Sequence, residues 1–260
     1  MRPGFRMTIG AEPGGVARVT AAFAEFAAGN AVPASVRRSL HVALDELLQN
    51  TIAYGFTERE GGEVTVEVEL SPDRVSVTLT DDGSPFDPFG VPAPDTARPV
   101  EEQRIGGLGI HLVRRMMDEV RYHRTADRNV VVLAKRLTGG MRAAQRGGRS
   151  MDITTRTWHE VTVVAFAGNL DSNTSPQAQQ ALDAVVAGGG KKVVVDFTAL
   201  DYISSAGLRV LLGTAKRVKE VGGALRLFGL NETVREVFQI SGFSTILALF
   251  ATEAEALERL

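Results

Sequence analysis

The sequence predicts an α/β protein built as two domains. Three observations carry that prediction. Runs in which apolar and polar residues alternate interleave with runs of helical periodicity along the whole chain. The 260 residues suffice for two domains of ordinary size. Between them, TGGMRAAQRGGRS at 138–150 holds four glycines, three arginines and no acid. That is the chemistry of a solvated tether, with a small anion-binding patch as the alternative. A first domain over 1–138, a linker over 139–150 and a second domain over 151–260 follow.

The first domain opens with a short strand near Met7 and a helix over about 14–28. A longer helix starts after Pro33, whose missing N–H would have no partner in a first turn. GEVTVEVEL and DRVSVTLTD alternate apolar and polar residues around Ser71-Pro72-Asp73, which predicts a hairpin with one buried face. The Pro/Gly/Asp-rich stretch 84–106 has no periodicity and reads as a lid or binding loop. GGLGIHLVRRMMDEV is a glycine turn opening a helix, and EVRYHRT and NVVVLAKRL close the domain as strands around Asp127-Arg128. In the second domain the order is VTVVAFAG, a helix over about 176–186, KKVVVDF, a helix over about 205–221, ALRLFGL, a helix over about 232–239, TILALF and a terminal helix. Strand and helix in alternation predict a largely parallel sheet. No internal repeat relates the halves.

Composition narrows the function classes. The hydrophobic share of 44% and charged share of 23% exclude wholesale disorder. Lys+Arg at 29 against Asp+Glu at 31 leaves a net charge of -2, so no overall positive field draws the chain to nucleic acid or anionic lipid. The absence of cysteine excludes disulfides, thiolate metal sites and cysteine nucleophiles, and fits an intracellular compartment. No apolar run approaches the roughly 18 residues of a membrane span. VTAAFAEFAAG is interrupted by Glu25 and reads as an amphipathic helix rather than a signal-peptide core. The expected location is the cytoplasm.

Three short signatures stand in order in the first domain. Glu46 and Asn50, four apart on a helix, share one face, where a carboxylate can act as general base and an amide oxygen can ligate a hard cation such as Mg²⁺. The structural alternative is a pair of exposed polar groups on a surface helix. Asp81-x-Gly83 ends a strand, where Asp81 could form the turn or accept from an exocyclic amine. Gly107-x-Gly109 opens a helix whose free N–H groups favour phosphate, with tight backbone packing as the alternative.

In this order, with a long loop between the second and third, the signatures resemble the Bergerat-type ATP-binding superfamily shared by type II topoisomerases, sensor histidine kinases and MutL. Within it the likeness is to the anti-sigma-factor serine kinases of bacterial partner switching, over about residues 7–137. The resemblance implies an α/β sandwich with a mixed sheet and helices on one face. It implies ATP and Mg²⁺ as cofactors, LDELLQNTIAYGF as the N box with Glu46 as catalytic base and Asn50 as magnesium ligand, and DDGSPFDP as the first glycine box with Asp81 reading adenine and Gly83 allowing close approach. It also places Gly107 and Gly109 at the phosphates and 84–106 as the lid, with Arg104 as an inexact counterpart of a lid arginine that touches phosphate. Where the family often has His four residues after the Asn, this chain has Tyr54. A histidine-kinase reading lacks an upstream phosphoacceptor helix, because His41, which alone precedes the box, lies on the N-box helix itself.

In the second domain, VVVDFTALDYISSAGLRVLL puts Ser204-Ser205 at the mouth of a helix, where serine is the ordinary N-cap. Phosphate there would also meet free N–H groups and a favourable dipole. GNLDSNTSP, VVVDF and YISSAGLRVLL are similar to a STAS domain of the anti-sigma-factor antagonist type. Its regulatory Asp-Ser-Ser-Gly-Leu, aligned on Gly207-Leu208, falls on Ser204, Ser205 and Ala206, so the family's acceptor position is Ala206. Ser205 and Ser204 are the remaining candidate phosphoacceptors, and Asp196 at the expected end of the preceding strand either lines the same surface or accepts from a loop. The combined resemblance implies a partner-switching regulator: a Ser/Thr protein kinase that phosphorylates a STAS partner on serine, fused to an antagonist-like domain. The alternatives are a non-catalytic ATP-binding docking protein and a MutL-like machine, which would need a transducer domain after the ATP site. The implied partners are a STAS antagonist or a sigma factor, with a homodimer also allowed.

Overall fold

A computed structural model of the protein describes residues 2–12, 14–56, 61–90, 108–137, 151–258 and 260. The expected linker 139–150, most of the expected lid, Arg104 and Gly107 lie outside the described residues. The chain divides into two compact units, each with its own five-stranded sheet. Among the described residues no helix is long and apolar enough to cross a membrane.

The first unit runs β1 (Gly4–Gly10), α1 (Gly15–Gly29), α2 (Ala34–Asn50), β2 (Glu63–Leu70), β3 (Arg74–Asp81), α3 (Leu108–Met116), β4 (Glu119–Thr125) and β5 (Arg128–Arg136). The α/β class holds, but the expected mixed sheet is corrected. In the order β1-β2-β3-β5-β4, every neighbouring pair is antiparallel. The reason is topological. β3 and β4 run the same way and are joined through α3, yet the β4–β5 hairpin folds β5 in between them, so two parallel strands never become neighbours.

Helices cover one face of this sheet. α1 buries Val16, Val19, Phe23 and Ala27, and α2 buries Val36, Leu40, Ala43, Leu44 and Leu47, both at helical spacing. Against them stand the inward rows Val64, Val66 and Val68 of β2, Val75, Val77 and Leu79 of β3, and Val131 and Leu133 of β5. The other face is polar, with Arg6 paired to Glu67 and the Thr8 hydroxyl 2.9 Å from that of Thr65. Because side chains alternate along a strand, Asp81 is the last member of the inward row of β3, and Asn129 is the first of that on β5.

The second unit runs β6 (Asp152–Trp158), β7 (Val161–Leu170), α4 (Ser175–Ala187), β8 (Lys192–Ile203), α5 (Ser205–Glu220), β9 (Ala224–Phe228), α6 (Glu232–Ile240), β10 (Ala248–Phe250) and α7 (Glu253–Leu257). In the order β10-β9-β8-β7-β6, the strands from β7 to β10 pair in parallel and only β6 is antiparallel. The continuous apolar run of β8 follows from cover on both faces. Val194 packs with Ala256 of α7, whereas Phe197 meets Phe166 and Phe238 of α6.

Two sequence expectations change here. β6 is an additional edge strand, hidden in the sequence because nearly all its side chains are exposed. Asp196 does not end its strand, since β8 continues to Ile203 through a register shift beside β7. At that irregularity the Asp196 carboxylate accepts from the Thr198 N–H at 2.8 Å, which is the plain acceptor role.

Candidate functional site

A cleft in the first unit gathers residues from α2, β3, β5 and the segment after β3: Leu47, Asn50, Thr51 and Gly55 on one side, Asp81, Ser84, Phe86 and Pro88 on another, with Asn129 and Val131 at the base. α2 does not stop cleanly at Asn50. It widens into one π-helical turn over Thr51–Gly55, a distortion that recurs at functional sites. The Gly55 carbonyl thereby accepts from the Ser84 N–H at 2.9 Å. Tyr54 is exposed on this turn.

Asp81 is buried, 6% exposed, and its two oxygens differ. Oδ1 accepts from the Gly83 N–H at 2.9 Å and from the Asn129 amide at 2.8 Å. Among the described residues nothing donates to Oδ2. Gly83 is required by space, because a Cβ there would lie 2.7 Å from the Gly55 carbonyl oxygen and 2.9 Å from Asp81 Oδ1.

Glu46 lies one turn before Asn50 on α2 and is buried, so the alternative of two exposed polar groups is corrected for this residue. It is buried because α3 begins directly against it at Gly109. The structure thus brings Glu46, Asn50, Asp81, Gly83 and Gly109 to one end of the first unit. Asn129 belongs to none of the three sequence signatures. Its signal is the one polar side chain on the inward parity of NVVVLA, two residues before Val131.

In the second unit Ser204 is the N-cap of α5, but its side chain makes no capping bond, and its hydroxyl oxygen is buried without a hydrogen-bond partner among the described residues. The ordinary cap role is therefore corrected. Its own N–H is committed to the Leu170 carbonyl at 2.9 Å, and Gly207 leaves no space for a Cβ against Leu170 and Ile203, so the α5 entry is held tight against β7. Asn231 and Thr252, by contrast, do cap α6 and α7 through their side chains. Ser204 and Ser205 are both buried, whereas Ala206 is partly exposed.

The histidine kinase-like ATPase domain family matches residues 9–135, and the STAS domain family matches residues 152–256. BtrV of Bordetella bronchiseptica, whose name reads "Putative anti-sigma factor antagonist", is 46% identical over 84 residues, 32% of this chain and 72% of that protein. The serine-protein kinase RsbW of Listeria monocytogenes is 32% identical over 93 residues, 32% of this chain; the match spans 56% of RsbW. Among solved structures, an anti-sigma factor antagonist from Mycobacterium paratuberculosis is 27% identical with a TM-score of 0.40, covering 42% of this chain and 92% of that one.

Proposed function

The chain belongs to the anti-sigma factor antagonists through its STAS domain and carries a histidine kinase-like ATPase domain ahead of it, and on that premise we propose a partner-switching regulator whose first half is an ATP-dependent protein serine kinase acting on a STAS-domain partner. The observation that carries the proposal is the buried carboxylate of Glu46 one helical turn from the cleft residue Asn50. A carboxylate withdrawn from water at the edge of a nucleotide cleft is where a general base belongs.

The cleft residues fit adenine nucleotide and magnesium. Asp81 Oδ2 is a carboxylate oxygen with no donor among the described residues, which suits the exocyclic amine of adenine. Asn50 offers one neutral oxygen of the kind a hard cation accepts alongside phosphate and water. Gly83 and Gly109 keep the approaches free of side chains. Mg-ATP, when bound, supplies the phosphoryl group and neutralises its charge. Glu46 takes the proton of the incoming serine hydroxyl. Gly107 and Arg104 would complete the phosphate side in this scheme.

The STAS half is proposed as a dock for partners rather than a self-marked switch, because Ala206 occupies the acceptor position and the neighbouring serines are buried. The partners of the protein as a whole are a STAS-domain antagonist, a sigma factor or both, met in the cytoplasm, with a homodimer allowed. The test is Glu46→Gln: ATP binding is retained while phosphoryl transfer to a STAS protein of the same cell falls by about 10²- to 10⁴-fold. Wild-type protein that binds Mg-ATP and labels no such protein points to the non-catalytic docking function instead.

A further inference from the structure

Asn129 is 4% exposed and joins three strands at the floor of the cleft. Its amide nitrogen donates to Asp81 Oδ1 at 2.8 Å and to the Ser84 carbonyl at 3.0 Å, with the Gly83 carbonyl at 3.4 Å. Its amide oxygen accepts from the Tyr122 hydroxyl at 2.9 Å and from Arg124 Nη1 at 2.8 Å, and the same Nη1 is 3.3 Å from the Gly83 carbonyl. Chemistry dictates this orientation of the amide. Arginine can only donate, so the oxygen must face Arg124; a carboxylate and two carbonyls can only accept, so the NH₂ must face Asp81 and the turn. A carboxylate at this position would satisfy Tyr122 and Arg124 but fail Asp81 and the turn, and an alkyl group would fail both sides.

The register makes the clamp. Asp81 pairs with Asn129 across β3 and β5, and Asn129 pairs with Arg124 across β5 and β4, so the three side chains line up across the sheet. We propose that Asn129, gripped by Tyr122 and Arg124, is a positioning residue for base selection: it occupies Asp81 Oδ1 and ties the Gly83–Ser84 turn to it, leaving Oδ2 aimed as the acceptor for a base N–H. This rests on the ATP-binding reading above. A base carrying an amine at that place is accepted, and one carrying a carbonyl meets carboxylate oxygen and is refused. Loss of the clamp frees the carboxylate to rotate and blunts the discrimination.

The experiment is titration calorimetry of the full chain with ATP and with GTP, alongside thermal unfolding without nucleotide, for wild type, Asn129→Asp and Tyr122→Phe. Asn129→Asp keeps size and the bonds from Tyr122 and Arg124 but sets acceptor against acceptor at Asp81. It should weaken ATP at least about tenfold, the scale of a charge-assisted hydrogen bond, while GTP changes little, so the ATP preference shrinks. Tyr122→Phe removes one donor from the clamp and should shrink the preference by about two- to fivefold in a folded protein. Variants that unfold earlier yet keep both the wild-type ATP affinity and the ATP preference overturn the positioning role and leave ATP binding standing. If Asn129→Asp does not fold, Tyr122→Phe decides alone, and an unchanged preference overturns the role. A wild type that binds no ATP overturns both this inference and the function it rests on.

Discussion

Gly109, the second residue of α3, lies directly against Glu46 of α2: a Cβ at 109 would stand 2.7 Å from the Glu46 carboxylate carbon and 3.3 Å from its Cγ. Two residues 63 positions apart are thus in contact, and the contact is what buries the proposed base. Glycine is present here for space, since nothing in the backbone at 109 calls for the left-handed region.

Gly109→Ala should therefore destabilise the first unit by about 1–3 kcal/mol, despite alanine being the better helix former. Adding Glu46→Ala removes the obstructing carboxylate and should recover most of that loss, because contacting sites couple. Urea midpoints of the two single variants and the double variant measure it. Strict additivity would place the clash elsewhere.

Asp81→Asn is nearly isosteric, and its side-chain oxygen can still accept from Gly83 and Asn129. The amide then turns its NH₂ toward the cleft, donor against the adenine amine. Folding should be little changed while ATP weakens by about ten- to a hundredfold, the cost of one charge-assisted hydrogen bond of about 1.5–3 kcal/mol. Calorimetric equality with wild type would remove Asp81 from the site.

Ser204→Ala tests the α5 entry. An N-cap serine replaced by alanine ordinarily costs about 1 kcal/mol. Here the hydroxyl oxygen is buried with no partner among the described residues, so its removal should be neutral or stabilising by up to about 1 kcal/mol. A clear loss in thermal midpoint would mean that the hydroxyl bonds to α5 in solution.

Ala206→Ser places a hydroxyl at the one position of the three that is partly exposed. After incubation with Mg-ATP, peptide mass spectrometry should find phosphate at residue 206 of this variant and little on Ser204 or Ser205 of wild type. Stoichiometric phosphate on either wild-type serine would contradict an unswitched STAS half.

Much of this was legible in the chain itself. Local periodicity arises from backbone geometry, so alternation in GEVTVEVEL and DRVSVTLTD already marks the hairpin and its inward face, and the spacing of Glu46 and Asn50 already sets them side by side on a helix. The two glycine signatures stand out because few residues tolerate so little space. β6 was not legible, since an edge strand with nearly every side chain exposed has no buried row to betray it.

What remained belongs to tertiary structure, because it depends on which strands become neighbours. The antiparallel first sheet exists because β5 inserts beside β3, and that insertion sets Asn129 opposite Asp81 from 48 residues away. No local pattern contains that distance: a shift of one residue in the β3–β5 register would turn Asn129 to the solvent face. The burial of Glu46 by α3 and the loss of the cap at Ser204 are likewise outcomes of packing, in which close approach of one element overrides what each residue does in its own segment.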